Sequence, residues 1–378
     1  MESQTENDFS RPTAMQIDLS ALTHNLHAIR AHTGKAKIMA VVKANAYGHG
    51  LIECAHYLAQ AGADYFGVAL MEEGIALRCA GISMPVLVFG GLWSKQINQY
   101  LEYDLDITAS SADKLRAIDA AASAGGRRAR VHLKIDTGMG RIGVQHDRLP
   151  RFVDALLEAQ HCDIIGVYSH FATAEETDQS FARLQLRRFN ASIEYLRSRG
   201  VGWRLTHMAN SAALMNFSES YFDMVRPGLA LYGIAPDVAM ESILPLRPAM
   251  RLTSKVVYFK VVEAEQGISY GHHWRAPQQT RIVTVPVGYG DGYSRGLSGH
   301  AEVLIRGCRY PVVGNICMDQ MMVDIGPGEA FNGDEVVLIG RQGNEEITVV
   351  QLAQKLNTTP HEILTATNAR VPRVYINS

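Results

Sequence analysis

The feature of this sequence that most constrains its fold is a repeated alternation of short apolar runs with longer segments of helical periodicity. Each apolar run is too uniformly hydrophobic to leave one face in water, which is typical of strands in a parallel sheet that is buried on both sides. The eight runs, in chain order, are KIMAVV (37–42), YFGVAL (65–70), PVLVFG (85–90), LDITAS (105–110), RVHLKI (130–135), DIIGVYS (163–169), WRLTHM (203–208) and FDMVRP (222–227).

Eight β/α units predict a closed (β/α)8 barrel, an architecture of about 250 residues, and an open doubly wound sheet is the alternative. Beyond residue 245 the pattern changes to β-rich runs separated by glycine turns, with one helix predicted over residues 348–357. We therefore predict an α/β fold with an N-terminal (β/α)8 TIM-like barrel over residues 13–245 and a C-terminal, mostly antiparallel β domain over residues 246–378. Residues 1–12 are a separate N-terminal segment, with packing on the β domain as one option.

Charge and cysteine content restrict the classes of partner. The chain has 36 Lys+Arg against 38 Asp+Glu, which gives no basic surface for nucleic acid or anionic lipid. The five cysteines are scattered and form no C-x-x-C pair, so we expect no disulfide framework, no metal site and a reducing compartment. The chain starts with a polar segment and contains no apolar run of the ~20 residues that span a bilayer. We therefore predict a cytoplasmic protein with no nucleic-acid partner and no membrane association.

The segment VHLKIDTGMGRIG (131–143) carries a G-x-G-x-x-G spacing that also occurs in dinucleotide-binding turns. Such a turn should feed directly into a helix, with an acidic residue at the end of the next strand. Here the next helix is predicted near Pro150, and the acid at the expected distance, Asp163, begins the next strand. We therefore expect these glycines to shape a loop that carries Arg141 rather than to bind NAD.

Polar and titratable residues follow the predicted strands, at the end of a barrel where active sites are built. They comprise Lys43, Asn45, Tyr47 and His49 after the first strand, Lys134, Asp136 and Arg141 around the end of the fifth, His170 after the sixth, His207, Asn210 and Ser211 at the seventh, and Arg226 and Gly228 after the eighth. Their convergence on one face predicts a reaction centre.

Nine segments in family order and spacing make the chain resemble the pyridoxal-phosphate-dependent alanine racemases, which are fold-type III enzymes. The segments are AVVKANAYGHG, VHLKIDTGMGRIG, YSHFATA, HMANSAA, MVRPGLALYG, ISYG, VGYGDGY, GNICMDQ and ARVPRVY. The resemblance implies a barrel followed by a β domain, pyridoxal 5'-phosphate as cofactor, a small amino-acid substrate, and a homodimer with active sites shared between subunits.

The resemblance assigns the chemistry to two bases. Lys43 is the Schiff-base lysine, and it also acts as the base for D-alanine. Tyr270, supplied by the neighbouring subunit, acts as the base for L-alanine. Two groups on opposite faces of Cα can remove a proton from one side and return one on the other. Because a free tyrosine has a pKa of about 10, we expect cationic help from His170 and Arg226.

The same resemblance assigns the cofactor and substrate contacts. Arg226 donates to the pyridine nitrogen and leaves it unprotonated, because an arginine does not give up its proton. The other cofactor-binding positions are Tyr47, Arg141, His170, Asn210, Ser211, Gly228, Leu229 and His361. The substrate carboxylate meets Arg141 and the backbone amide of the partner's Met318. The supporting residues are Lys134, often carbamylated in the family, with Asp319 and the entrance residue Tyr289.

The implied function is the interconversion of L-alanine and D-alanine, for peptidoglycan synthesis or for alanine breakdown. The chain departs from the family at His361, where a tyrosine is usual, so tolerance of serine or another small amino acid is an alternative. A pyridoxal-phosphate-dependent decarboxylase is less favoured because its Gly-rich phosphate motif and "CES"-like element are missing from the sequence. A cofactor-carrier protein is less favoured because it would be a lone barrel.

Overall fold

The structure is a computed structural model that describes residues 11–377, and it divides into two compact units. The barrel unit spans Ala21–Arg247, and the β unit joins residues 11–20 to residues 248–377. Most of the predicted N-terminal segment, residues 1–10, lies outside the described residues. No helix within residues 11–377 combines the length and apolar character that a membrane crossing needs.

The described strands alternate with helices in the first part of the chain and follow one another in the second. The strands are β1 (Ala14–Asp18), β2 (Lys37–Val41), β3 (Tyr65–Val68), β4 (Val86–Val88), β5 (Asp106–Ala109), β6 (Ala129–Asp136), β7 (Val144–Gln145), β8 (Cys162–Tyr168), β9 (Leu205–His207), β10 (Met224–Val225), β11 (Met250–Lys255), β12 (Tyr258–Val262), β13 (Gly267–Ile268), β14 (Trp274–Arg275), β15 (Thr280–Val285), β16 (Glu302–Ile305), β17 (Cys308–Val313), β18 (Met321–Gly326), β19 (Glu335–Gln342), β20 (Glu345–Ile347) and β21 (Arg373–Ile376). The α-helices are α1 (Leu19–Thr33), α2 (Lys43–Tyr47), α3 (Leu51–Gln60), α4 (Met71–Cys79), α5 (Ile97–Glu102), α6 (Ala112–Ala124), α7 (Leu149–Glu158), α8 (Ser180–Ser198), α9 (Ser211–Asn216), α10 (Val349–Lys355) and α11 (Pro360–Ala366).

Eight parallel strands of the barrel unit close on themselves. Their order is β5-β4-β3-β2-β10-β9-β8-β6, and β5 also pairs with β6, for example Ile107 with Val131. This closure confirms the predicted barrel and excludes the open sheet. Each predicted apolar run overlaps one of these strands, because a strand covered by helices outside and side chains inside has no face in water. The short strand β7 adds to β6 beside the end of the barrel.

The β unit is built on one large sheet. Its strand order is β12-β15-β18-β17-β16-β19-β11-β1-β21, with β20 attached to β19. Along this path only the β1–β21 pair is parallel. The predicted, mostly antiparallel β domain is therefore confirmed.

The predicted start of the barrel at residue 13 is wrong. Residues 13–20 belong to the β unit, where β1 lies between β11 and β21. The physical signal of this strand is a strict alternation of buried and partly exposed residues. Met15 and Ile17 are buried, and their neighbours in the strand are partly exposed. That period of two marks a strand with one covered face, unlike the uniformly apolar barrel strands. Just before β1, Arg11 donates to both carboxylate oxygens of Asp291 at 2.6 Å.

The prediction of a single helix near the C-terminus is also wrong. Helix α10 occupies most of the predicted segment, and α11 follows it after a short break. Pro360 stands in the first turn of α11, where a missing N–H costs nothing, and this proline was the overlooked start signal.

Candidate active site

The carboxyl ends of the barrel strands bring together most of the predicted site. Lys43 follows β2, Arg141 follows β6, His170 follows β8, Ser211 follows β9 and Arg226 follows β10. Because the strands are parallel, these ends meet at one face of the barrel. The other predicted residues, Tyr270, Tyr289, Met318, Asp319 and His361, all belong to the β unit.

Lys43 is followed by a turn of left-handed helix. Residues 44–47 all have φ between +53° and +55°, and none of them is glycine. Left-handed backbone costs roughly 1–2 kcal/mol per residue, so four in succession require support from the surroundings. Glu73 supplies part of it, because one carboxylate oxygen accepts from the Ala44 amide at 2.6 Å and the other from two amides at the start of α4. The turn fixes where the Lys43 side chain leaves the backbone.

The Lys43 amine has a lowered pKa. Burial lowers it most, and the positive charges of Arg141 and Arg226 lower it further, while Glu73 acts in the opposite direction. Burial and the two arginine charges disfavour the ammonium form, whereas the Glu73 carboxylate favours it. A lysine with a lowered pKa reaches the neutral, nucleophilic state more readily than an exposed one.

Ser211, Gly228 and Tyr47 form a donor cradle at the end of the barrel, in which the hydroxyls of Ser211 and Tyr47 are the groups that can donate and Gly228 leaves room for them. The Ser211 hydroxyl oxygen accepts from the amides of Gly228 at 2.8 Å and Ala230 at 3.2 Å, so its hydrogen is available to donate. A Cβ on Gly228 would lie 3.0 Å from Cζ of Tyr47 and closer still to its hydroxyl oxygen. Only glycine therefore fits beside this ring. Asn210 caps α9 through its side chain, which accepts from the Ala213 amide at 2.9 Å, and Leu229 opens the following turn.

Arg226 is buried and held from several directions. It donates to His207 Nδ1 at 3.0 Å, to His170 Nδ1 at 3.2 Å, and to the carbonyl oxygens of Ser169 and Met208 at 2.7 and 3.0 Å. Burial lowers its pKa to about 10, and Arg141 acts in the same direction while Tyr168 opposes it. A guanidinium with such a pKa is still charged at neutral pH, so it acts only as a donor.

His170 is neutral, which corrects part of the expected assistance to a tyrosine base. Burial, followed by the charges of Lys134, Arg226 and other cations, lowers its pKa well below the usual 6.5. Because His170 Nδ1 accepts from Arg226, its proton lies on Nε2. The positive charge in this part of the site therefore comes from arginine and not from His170.

Lys134 is almost fully buried in the barrel. Its Nζ lies 4.4 Å from the centre of the Tyr168 ring. Burial and the charges of Arg226 and Arg141 lower its pKa well below the ordinary lysine value, although Asp136 acts in the opposite direction. A neutral amine at this position has the protonation state that carbamylation requires.

The glycine-rich segment forms the loop that carries Arg141, as predicted. Gly138, Gly140 and Gly143 have φ of +138°, +70° and +124°, which side-chain-bearing residues rarely adopt. The Asp136 carboxylate accepts from the amides of the first two glycines at 2.9–3.1 Å. The loop leads into β7 and reaches α7 only at residue 149, so it lacks the turn-into-helix geometry of a dinucleotide site.

The β unit presents its predicted site residues at its surface. Tyr270 is 72% exposed and Met318 is 52% exposed. Asn315 donates to the Tyr270 carbonyl oxygen at 2.7 Å. Asp319 pairs with Arg370 at 2.6 Å. His361 lies in the first turn of α11, and Tyr289 is partly exposed.

Sequence reasoning missed the buried polar residues inside the barrel. Asp106, His132 and Tyr168 were treated only as parts of apolar strands. Their signal was visible, because a charged or imidazole side chain in the middle of a buried strand requires a hydrogen-bonding partner.

Comparison with known proteins assigns both units. Residues 17–236 match the family model "Alanine racemase, N-terminal domain", and residues 249–375 match "Alanine racemase, C-terminal domain". Alanine racemase 2 of Caldanaerobacter subterraneus subsp. tengcongensis is 42% identical over 98% of this chain and 96% of its own length. Alanine racemase of Geobacter sulfurreducens is 43% identical over 97% of this chain and 98% of its own length. The crystal structure of alanine racemase from Streptomyces lavendulae superimposes with a TM-score of 0.94, at 40% identity over 98% of each chain.

Proposed function

The chain belongs to the alanine racemase family, and we propose that it interconverts L-alanine and D-alanine with pyridoxal 5'-phosphate as its cofactor. The observation that carries this proposal is Lys43, an amine with a lowered pKa, at the same end of the barrel as a donor cradle that only glycine permits. The first group suits bond formation with an aldehyde, and the second suits a phosphate.

The residues of the barrel unit fit such a cofactor. The Ser211 hydroxyl and the backbone amide of Leu229 present neutral donors after the seventh and eighth barrel strands, where barrel phosphate sites are commonly built, and the Gly228 amide holds the Ser211 oxygen. Tyr47 and Asn210 lie beside them. Arg226 supplies a donor that keeps its proton, so it would leave the ring nitrogen of the cofactor unprotonated. Lys43 would hold the cofactor covalently.

The chemistry divides between two bases. When bound, pyridoxal phosphate withdraws electrons from an attached amino acid and so acidifies its α-hydrogen. Lys43, as a free amine, would take or return the proton on one face of Cα. Tyr270 of the partner subunit takes or returns it on the other face.

Substrate orientation is assigned to the loop after β6 and to the segment around Met318. Arg141 contacts the substrate carboxylate, and the Met318 amide of the partner subunit donates to the same group. Carbamylation would convert the buried Lys134 amine into an anion beside Arg141, so that the two groups attract each other. Asp319 supports Met318, and Tyr289 lines the entrance.

We further propose that the protein is a cytoplasmic homodimer in which each site takes residues from both subunits. The support is the exposure of Tyr270 and Met318 in the single chain, since groups that meet substrate work in water-excluded sites. In a heterodimer of Lys43→Ala and Tyr270→Phe chains, one site carries both changes and the other carries neither. When this heterodimer is isolated through two affinity tags, we expect about half of the wild-type activity. A heterodimer as inactive as its parent homodimers would contradict shared sites.

The activity itself is tested with the pure holoenzyme and L-alanine, followed by chiral chromatography. We expect D-alanine to accumulate to an equal mixture, and Lys43→Ala to abolish its formation. Release of carbon dioxide would instead favour a decarboxylase, and no change in the substrate would favour a cofactor carrier. Growth of a deletion strain with and without D-alanine would then distinguish a role in peptidoglycan synthesis from one in alanine breakdown.

A further inference from the structure

A chain of buried polar side chains crosses the barrel interior. Arg226 stands after β10 at the carboxyl ends of the strands, and Asp106 begins β5 at the amino ends. His207 on β9 and His132 on β6 lie between them, and both are 0% exposed, as is Asp106. Barrel interiors are usually filled by branched apolar residues, and buried polar groups are costly unless they are paired. Packing alone therefore does not explain this chain of polar side chains.

Arg226 and Asp106, the two ends of this chain of polar side chains, determine which nitrogen of each histidine donates and which accepts. Arg226 Nη1 lies 3.0 Å from His207 Nδ1, and because arginine only donates, that nitrogen must accept. The His207 proton is then on Nε2, which lies 3.0 Å from His132 Nδ1. His132 in turn carries its proton on Nε2, 3.2 Å from Asp106 Oδ2. Both histidines are thus neutral, with their hydrogen on the side of Asp106 and their lone pair on the side of Arg226.

Asp106 has the charge that this polarity requires. Burial alone raises its pKa, but the hydrogen bonds from His132 and Arg130 and the positive charge of Arg130 more than offset that effect and lower it. Arg130 Nε donates to Oδ1 at 2.5 Å, and the Tyr65 hydroxyl donates to Oδ2. The carboxylate stays ionised and attracts the N–H of His132. Arg226 at the other end repels any further proton on His207, whose pKa burial lowers most.

We propose that Asp106 and His132 are positioning residues, which act through His207 to hold Arg226 as a fixed donor at the active site. This inference rests on the proposed function, because it gives Arg226 its target. If His207 carried its proton on Nδ1 instead, two donors would face each other at 3.0 Å and the guanidinium would have to move. Productive placement tolerates shifts of only about 0.5 Å, so such a movement reduces turnover.

Gly166 on β8 provides the space for this chain. A Cβ on Gly166 would lie 2.7 Å from Cε1 of His132 and closer still to its Nδ1, the atom that accepts from His207. Gly166→Ala therefore disturbs the link between the two histidines without changing any charged group. A matched control is Gly202→Ala in the same unit, where an added Cβ meets nothing within 4 Å. His132→Phe is a second variant, which removes the imidazole and keeps an aromatic ring.

The first experiment measures the histidine tautomers of the wild-type holoenzyme by nitrogen-detected NMR after ¹⁵N-histidine labelling. We expect His207 and His132 both to carry hydrogen on Nε2 and to have an unprotonated Nδ1. An Nδ1–H tautomer or an imidazolium at His207 would overturn the proposal. This measurement does not depend on turnover, so its failure is distinguishable from failure of the proposed racemase activity.

The second experiment measures alanine kinetics and the His207 signals in the variants. Loss of an outer partner of a functional histidine changes activity about 10- to 100-fold at metal sites, and we expect a fall of that order in kcat for Gly166→Ala and His132→Phe. KM should change little, because the substrate carboxylate is assigned to Arg141 and Met318. Gly202→Ala should match wild type. Wild-type kcat in a folded His132→Phe enzyme would overturn the proposal, and if neither variant folds, the tautomer measurement decides it.

Discussion

Replacing Gly228 by alanine tests whether the donor cradle is shaped to accept the cofactor. The new Cβ would lie 3.0 Å from Cζ of Tyr47 and closer to its hydroxyl, a separation that real side chains do not show. Tyr47 has little room to retreat, since its ring stacks on buried Tyr232 with the ring centres 4.9 Å apart. The Tyr232 hydroxyl is itself tied to the Val41 carbonyl oxygen at 3.0 Å.

The expected magnitude follows from this geometry. Overpacking a well-packed site costs about 1–3 kcal/mol, and a pinned neighbour favours a value of about 2 kcal/mol. The free protein can relieve the clash by moving Tyr47 or the loop. Cofactor binding must then return the Tyr47 and Ser211 hydroxyls, the donors of the cradle, to their original positions. We therefore expect the dissociation constant for pyridoxal phosphate to rise about 30-fold, since each 1.4 kcal/mol is tenfold.

The assay is a fluorescence titration of the apoenzyme with pyridoxal phosphate. Gly202→Ala is the control, and its dissociation constant should equal that of wild type because its Cβ meets nothing. In the Gly228→Ala background, Tyr47→Phe should weaken binding less than it does in wild type, since it also removes the oxygen nearest to the new Cβ. An unchanged dissociation constant for Gly228→Ala would refute the cradle.

Three further predictions concern the bases, the pocket and the pH dependence of stability. Tyr270→Phe should lower kcat from L-alanine about 10²- to 10⁴-fold, while exchange of the α-hydrogen of D-alanine through Lys43 continues, as followed by proton NMR. His361→Tyr should lower turnover of serine relative to alanine, measured by chiral chromatography, because it restores the usual side chain of the family. Below the unfolded-state pKa of about 6.5, stability should fall by up to about 1.4 kcal/mol per pH unit for each of His170 and His207, as measured by urea unfolding.

The sign of the pH effect follows from proton uptake. Burial lowers the pKa of both histidines in the folded state, so below pH 6.5 the unfolded chain binds protons that the folded chain does not. Their contribution is complete above that pH and is lost in acid. A His170→Asn enzyme with the same slope as wild type would contradict the histidine assignment. Equal loss of both proton exchanges in Tyr270→Phe, or an unchanged serine preference in His361→Tyr, would count against the other two predictions.

The barrel was predictable because its strands obey a simple physical rule. A strand covered on both faces is mostly apolar along its length, and each of the eight predicted runs overlaps a strand for that reason. The first strand within residues 11–377, β1, was assigned to the wrong unit because local sequence does not identify its partners. Its pairing with β11 joins residue 17 to residue 250, and no local pattern states that contact.

The residues predicted at the strand ends lie together because the carboxyl ends of parallel strands meet at one face of the barrel. The loop glycines were also interpretable, since positive φ at Gly138 and Gly143 is a local requirement. The neutral state of His170 was not predictable, because it depends on burial and on charges contributed by Lys134, Arg141 and Arg226 from other strands. The Asp106–His132–His207 chain was missed for the same reason, since its members are far apart in sequence.

In the proposed reaction, two separate bases, Lys43 and Tyr270, exchange protons at Cα. The most direct test converts unlabelled L-alanine in deuterated water and determines, at low conversion, the isotope at Cα of the D-alanine formed and of the L-alanine that remains. Two opposed bases predict deuterium in the product and hydrogen in the remaining substrate. D-alanine that keeps the original hydrogen would mean that one base returns the proton it removed, and would contradict the account.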